Sequence, residues 1–303
     1  MTKDDFINKN FCIVVLDAFK KKIDSGLDVP NFPQTHDGIK QVSDALHLAM
    51  EKGSFVVEES NAILPEVYLI NQQAKALNEE FGKRIQLRVS IFGPLEQYLH
   101  EIGTTPYLDV LDGIAETIKR FAKNSILNNK YIETKVVSID EPSLGFTNIQ
   151  TEPDVICKVL EKAFDFQGAT RQIHLHSAAS LHTLLTVKNL DVLSFEYAAS
   201  PSNITMVSKS MIDGAGKQIR VGVSRTDIDS IFAELFENGV SNPSAEQMVE
   251  SEEVIRRRFE IAKEKYGERI TFTGPDCGLG GWPSQEAASL LLKRTVKAVR
   301  SAL

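Results

Sequence analysis

The stretch RQIHLHSAASLHTLLTVKNLDVLSFEYAAS, residues 171–200, decides the fold class. Two short runs rich in strand formers, 171–177 and 191–197, enclose a segment with apolar residues at helical spacing. A strand–helix–strand order calls for parallel pairing, because the crossover returns each strand in the same direction. The same unit recurs along the chain. Further candidate strands are LDVPNF (27–32), SFVVEE (54–59), IQLRVSIFG (85–93), TKVVSID (134–140), IRVGVS (219–224) and RITFTG (269–274), eight in all. Between them, QVSDALHLAMEK, ILPEVYLINQQAKALNEEFGK and YLDVLDGIAETIKRFAKNSIL repeat apolar residues every three or four positions, as a helix with one buried face requires. Eight such units predict an α/β protein, a closed (β/α)8 TIM barrel. It is expected to be a single domain over residues 1–303, with an extra N-terminal helix within 1–25. An open doubly wound sheet is the competing arrangement. Pro30 and Pro33 make 27–32 the weakest strand, since proline removes a ladder donor.

Composition narrows the function classes. The chain has 303 residues, 42% hydrophobic and 25% charged, which is ordinary globular usage. A net charge of −7 without a dense Lys/Arg cluster argues against a nucleic-acid surface; FKKKID (19–24) reads as a solvated helix face. Cys12, Cys157 and Cys277 are odd in number, which argues against a disulfide framework and for a reducing compartment. MTKDDFINKN lacks the apolar core of a signal peptide, and no apolar run approaches the roughly 20 residues of a membrane span. A cytoplasmic protein with no membrane partner is expected.

In a barrel the chemistry collects at the carboxyl ends of the strands. Four ends stand out here. SIDEPSLG carries Asp140 and Glu141, HLHS carries His174 and His176, SFEYAAS carries Glu196, and the last run leads into TFTGPDCGLGGWP with Cys277. Two residues apart on a strand share a face, so His174 and His176 can converge. Two imidazoles, a carboxylate and a thiol are a donor set that suits zinc. Each residue alone has a plainer reading. The histidines can bond within the barrel, Cys277 can be small apolar filler, and Asp140-Glu141 can cap a turn. Their joint placement favours a metal site. Trp282, by itself, reads as core packing.

The segment GPDCGLGGWP resembles the one that supplies the last zinc-binding cysteine in cobalamin-independent methionine synthases. FPQT (32–35), SIDEP (138–142), HLH and FEY are similar to that family's other motifs and follow its order. The likeness covers about residues 29–300 and matches only the family's C-terminal catalytic barrel, within the wider uroporphyrinogen decarboxylase/methionine synthase-like superfamily. It implies a methyltransferase that makes methionine from homocysteine, with Zn2+ held by His174, His176, Glu196 and Cys277. It implies further that Asp140 takes the amino group of the substrate and that backbone around Val29 to Asn31 meets its carboxylate. An acidic residue at the second strand end, Glu59 or Glu58, would share the amino group.

The chain departs from that family in two places. It has His-x-His where His-x-Cys is usual, which raises the charge of the metal site by one and weakens a bound thiolate as a nucleophile. At the seventh strand it reads GVSRTDIDS (222–230), where the long enzymes carry an Asp-Ile-His-Ser segment whose histidine is thought to protonate the folate leaving group. A folate nitrogen leaves poorly without a proton, whereas methylcobalamin releases its corrinoid without one. The expected donor is therefore a methylated corrinoid or corrinoid protein rather than methyltetrahydrofolate. The competing readings are a zinc methyltransferase for another small thiol such as coenzyme M, and a non-catalytic corrinoid-protein or zinc-binding partner.

Overall fold

The structure, a computed structural model, describes residues 9–147 and 149–303. The chain divides into two compact units. The first holds the described residues up to Lys20, Asp28–Leu175 and Ser180–Asp191; the second holds Lys21–Leu27, His176–Ala179 and Val192–Leu303.

In the first unit, strands β1 (Ile85–Phe92), β2 (Ile132–Asp140) and β3 (Thr170–Leu175) pair in parallel and in chain order. The helix Leu108–Asn124 connects β1 to β2. It buries Val110, Leu111, Ile114, Ala115, Ile118, Phe121 and Ala122, which fall at the three- and four-residue spacing of a single face. In the second unit, β4 (Val192–Phe195), β5 (Gln218–Ser224) and β6 (Ile270–Pro275) are again parallel and in chain order. The crossover from β5 to β6 runs through the helix Glu252–Tyr266. Ser251 caps that helix by accepting from the Val254 N–H, with Glu252 and Glu253 in its first turn and Lys263 and Lys265 in its last. Each charge lies at the end of the helix dipole that favours it.

The eight predicted strands reduce to six among the described residues. Residues 27–32 form only one parallel bridge, Asn31 with Arg88. The Phe32 N–H donates to the Arg88 carbonyl and the Arg88 N–H to the Pro30 carbonyl, both at 3.0 Å. Pro30 and Pro33 have no N–H to extend that ladder. Residues 54–58 are not a strand either. The Val57 N–H donates to Thr117 Oγ1 at 3.0 Å, and the Val57 carbonyl accepts from Arg120 Nη1 at 2.8 Å. Side chains of the helix Leu108–Asn124 thus satisfy a backbone that a neighbouring strand would otherwise pair. Gly113 permits the approach, since a Cβ there would lie 2.9 Å from Phe55 Cβ. The chain then turns into a short 3-10 helix, Glu59–Asn61. The first predicted strand consequently pairs directly with the third, and the second is left out of the ladder.

The N-terminal helix forms as Lys9–Asp24; residues 1–8 of the predicted extension lie outside the described residues. Among the described residues no helix is long and apolar enough to cross a membrane.

Candidate metal centre

His174 ends β3 together with Leu175, His176 follows at once, Glu196 comes one residue after β4, and Cys277 two residues after β6. His176, Glu196 and Cys277 belong to the second unit. There, His176 Nε2 lies 3.4 Å from Glu196 Oε1 and 3.6 Å from Cys277 Sγ. His174 lies two residues earlier in the chain, at the end of the first unit. An imidazole nitrogen, a carboxylate oxygen and a thiol sulfur this close together are ligand types that zinc takes, and three protein donors are the number at a catalytic zinc. The Glu196 carboxyl is pushed up to about 7, first by burial and then by the charges of Asp276 and Asp227. A cation bound there would reverse that push by stabilising the ionised form.

Two residues that the sequence did not single out hold this trio in place. Asp276, the neighbour of Cys277, is fully buried. Its Oδ1 accepts the N–H groups of Tyr197 and Ala198, each at 3.0 Å, and its Oδ2 accepts that of Ala199 at 2.7 Å. The loop that begins at Glu196 is therefore tied to the loop that carries Cys277. Burial holds the Asp276 carboxyl above its usual range, against the lowering effect of those three donors. Room for Asp276 comes from Gly222 on β5, where a Cβ would sit 2.1 Å from Asp276 Oδ1 and 2.6 Å from its Cα. Arg220 donates to the Pro275 and Asp276 carbonyls and to Ser194 Oγ, so it too secures this turn.

The second residue is Asn203, 2% exposed. Its Nδ2 donates to the His176 and Glu196 carbonyls, both at 2.8 Å, and its Oδ1 accepts from the Ala178 N–H at 3.0 Å. One amide thereby sets the distance between two of the strand ends. Asn203→Ala is expected to leave two part-buried carbonyls and one N–H without these bonds, costing about 2–4 kcal/mol. Zinc affinity should drop by roughly the 10- to 100-fold seen on losing outer partners of metal ligands. Thermal unfolding combined with a chelator competition checks both numbers. A mild effect on each would mean that Asn203 does not position the trio.

The motif TFTGPDCGLGGWP resolves into distinct jobs. Cys277 is open to solvent, and its N–H donates to Thr226 Oγ1 at 3.1 Å. Trp282 packs with Ile228, Ile231, Met248, Val249, Ala287 and Leu291, as the plain reading of the sequence has it. Gly278 and Gly280 face open space, so neither marks a close approach of backbone to a neighbour. Ser284 then caps the last helix, Gln285–Arg300, by accepting from the Ala287 N–H.

The remaining predicted residues are in the first unit. Asp140 ends β2 and is the register partner of His174. Its Oδ1 accepts from Ser138 Oγ at 2.6 Å and lies 3.7 Å from Arg88 Nη2. Glu141, beside it, is fully buried and accepts the Leu95 and Glu96 N–H groups at 3.0 and 2.7 Å, capping the helix Pro94–Glu101. Burial pushes its carboxyl up to about 8. Asn31 Oδ1 accepts from Ser90 Oγ at 3.2 Å, and Val29, two residues earlier, is half-buried. Glu59 and Glu58 do not join this group. Glu59 is exposed and 3.7 Å from Lys123 Nζ; Glu58 is exposed and 3.6 Å from Lys52 Nζ. Their displacement follows from the loss of the second strand. After β5, Arg225 holds Asp227 and Glu234 through all three guanidinium nitrogens, and these pairs keep it firmly charged. An arginine in that state does not serve as a general acid near neutral pH.

No family model matches the chain, and no curated protein matches it either. Among solved structures, the chain is similar to a B12-independent methionine synthase from Shewanella sp. W3-18-1, determined in complex with selenomethionine. The match covers 96% of this chain and 87% of that one, at 12% identity and a TM-score of 0.57. At that identity the likeness speaks for a shared fold.

Proposed function

We propose that this chain is a barrel-type methyltransferase that moves a methyl group to the thiol of homocysteine, giving methionine, with zinc held by His174, His176, Glu196 and Cys277. The observation that carries the reading is the close approach of the His176, Glu196 and Cys277 side chains, with His174 two residues before His176 in the chain. The motif resemblance and the fold likeness support it. Zinc in such a set lowers the pKa of a thiol and so supplies thiolate at neutral pH.

The protein's own residues do the rest. Asp140 holds the substrate through its ammonium, by a charge-assisted hydrogen bond. Asp276 and Asn203 keep Glu196, Cys277 and His176 at fixed separations, so that little reorganisation is needed when substrate enters. The proposed donor is a methylated corrinoid. Its carbon–cobalt bond breaks with both electrons staying on the corrinoid, while the methyl carbon forms its new bond to sulfur. No proton has to reach the leaving group, which suits a fifth strand ending in a committed Arg225.

A sulfonated thiol of the coenzyme M type is the second reading, favoured by one observation: Arg88 stands beside Asp140 where Glu59 was expected. An assay separates the cases. Zinc-loaded protein is given homocysteine or coenzyme M, with either methylcobalamin or methyltetrahydrofolate. Methionine formed from methylcobalamin is the expected result. Turnover only with the folate would sink the donor assignment, and methylation only of coenzyme M would move the acceptor to the second reading. Tight zinc binding with no turnover in any pairing would leave a binding protein.

A further inference from the structure

Residues 276–284 join β6 to the last helix and belong to neither. Three of the four residues between Cys277 and Trp282 are glycine, the residue with most backbone freedom to lose on ordering. The loop's own backbone contributes the bond from the Trp282 N–H to the Leu279 carbonyl, at 3.2 Å. Such a segment keeps a metal ligand in place when something outside it supplies the hold.

Thr226, buried two residues past the end of β5, grips the loop twice. Its Oγ1 accepts the Cys277 N–H at 3.1 Å, and its carbonyl accepts Trp282 Nε1 at 3.4 Å. The same carbonyl accepts the Ile228 N–H at 2.9 Å, at the start of the helix Ile228–Glu237. Ile228 and Trp282 share one apolar cluster, so this end of the grip rests on packed side chains. At the other end, the Asp276 carbonyl accepts from Arg220 Nη1 at 3.4 Å. Both polar atoms of the peptide that joins Asp276 to Cys277 are therefore held. A peptide unit is planar, so holding both atoms fixes its tilt and leaves Cys277 only its own torsions. Threonine is β-branched and stiff at χ1, which makes its hydroxyl a firm anchor.

We propose that Thr226 is a positioning residue for Cys277, a staple across residues 277–282 that sets where the sulfur meets a metal. The assignment rests on the zinc reading and deepens it. The strand end that reads GVSRTDIDS (222–230), without a histidine, thereby has a duty of its own: it holds the ligand loop rather than passing a proton. Two substitutions isolate the acting atom. Thr226→Val keeps the branched shape and the carbonyl and removes the Oγ1 acceptor, whereas Thr226→Ser keeps that acceptor.

The test measures amide hydrogen exchange and metal binding on the wild type and both variants. In Thr226→Val, exchange at residues 277–281 is expected to quicken on the order of 10-fold through local opening. Zinc affinity, from chelator competition, should fall by roughly 10- to 100-fold, the range for lost outer partners of metal ligands. The thiolate-to-metal absorption of the Co2+-loaded protein should shift as well. Thr226→Ser should stay near the wild type in all three. Trp282→Phe keeps an aromatic ring in the cluster and deletes the indole N–H, so it should quicken exchange at the far end, residues 280–282. Unchanged exchange in both Thr226→Val and Trp282→Phe would overturn the staple, whether or not zinc binds. Faster exchange with unaltered zinc affinity and Co2+ spectrum would overturn the positioning role and leave the zinc reading in place. Equal losses in Thr226→Val and Thr226→Ser would overturn it too, since the hydroxyl would not be the acting group. Failure of the wild type to bind either metal would remove the zinc reading and the positioning role together.

Discussion

Gly222→Ala is expected to destabilise the second unit by on the order of 3–5 kcal/mol and to lower its zinc affinity at the same time. The added methyl would fall 2.1 Å from Asp276 Oδ1 and 2.6 Å from Asp276 Cα, so a side-chain rotation alone cannot make room. The backbone of β6 would have to withdraw. As it does, Asp276 loses its hold on the three N–H groups of residues 197–199, of which Tyr197 and Ala198 are buried. The loop after Glu196 then drifts from the loop that carries Cys277. Gly278→Ala is the matched control, because that glycine faces open space and does not have a positive φ; its effect should stay within about 0.5 kcal/mol. Denaturant unfolding of both variants, with and without zinc, decides the matter. A Gly222→Ala protein that unfolds like the wild type would show that Asp276 is not wedged against β5 as described.

Cys277→Ser should cost more zinc affinity than the roughly 100-fold that loss of an outer partner can cause, with the fold kept. The side chain is open to solvent, and the backbone bond from its N–H to Thr226 Oγ1 is unaffected by the change, so replacing sulfur by oxygen creates no buried cavity. A hydroxyl is a far poorer zinc ligand than a thiolate, because it does not ionise at neutral pH. Zinc binding by a thiol releases a proton, so calorimetry in two buffers of different ionisation enthalpy should show that release shrinking in the variant. Cys157→Ser is the comparison. Its sulfur sits in the first unit, 3.5 Å from the Thr183 carbonyl and 3.2 Å from Thr186 Oγ1, and zinc content should not change. Full zinc occupancy and unaltered proton release in Cys277→Ser would refute the ligand assignment.

Several features of this molecule were decided by local pattern and could be read from residues alone. The helix Leu108–Asn124 announces its buried face by spacing. Alternation along 171–177 and 191–197 places His174, His176 and Glu196 at strand ends, and the turn after 269–274 delivers Cys277. Periodicity of two or 3.6 is a property of a few consecutive residues, so it survives without knowledge of the fold. Choices among distant partners do not. SFVVEE has the composition of a strand, yet Thr117, Arg120 and the gap at Gly113 claim its backbone. That exchange carries Glu58 and Glu59 to the surface and leaves Arg88 as the charged neighbour of Asp140. Asp276 and Asn203 were invisible for the same reason, since an Asp or Asn in a loop is ordinary until its acceptors and donors are known. Sequence by itself determined which residues carry the candidate chemistry. Only tertiary structure decided which backbone groups hold them still, because a buried hydrogen bond is chosen by whichever distant segment packing brings within about 3 Å.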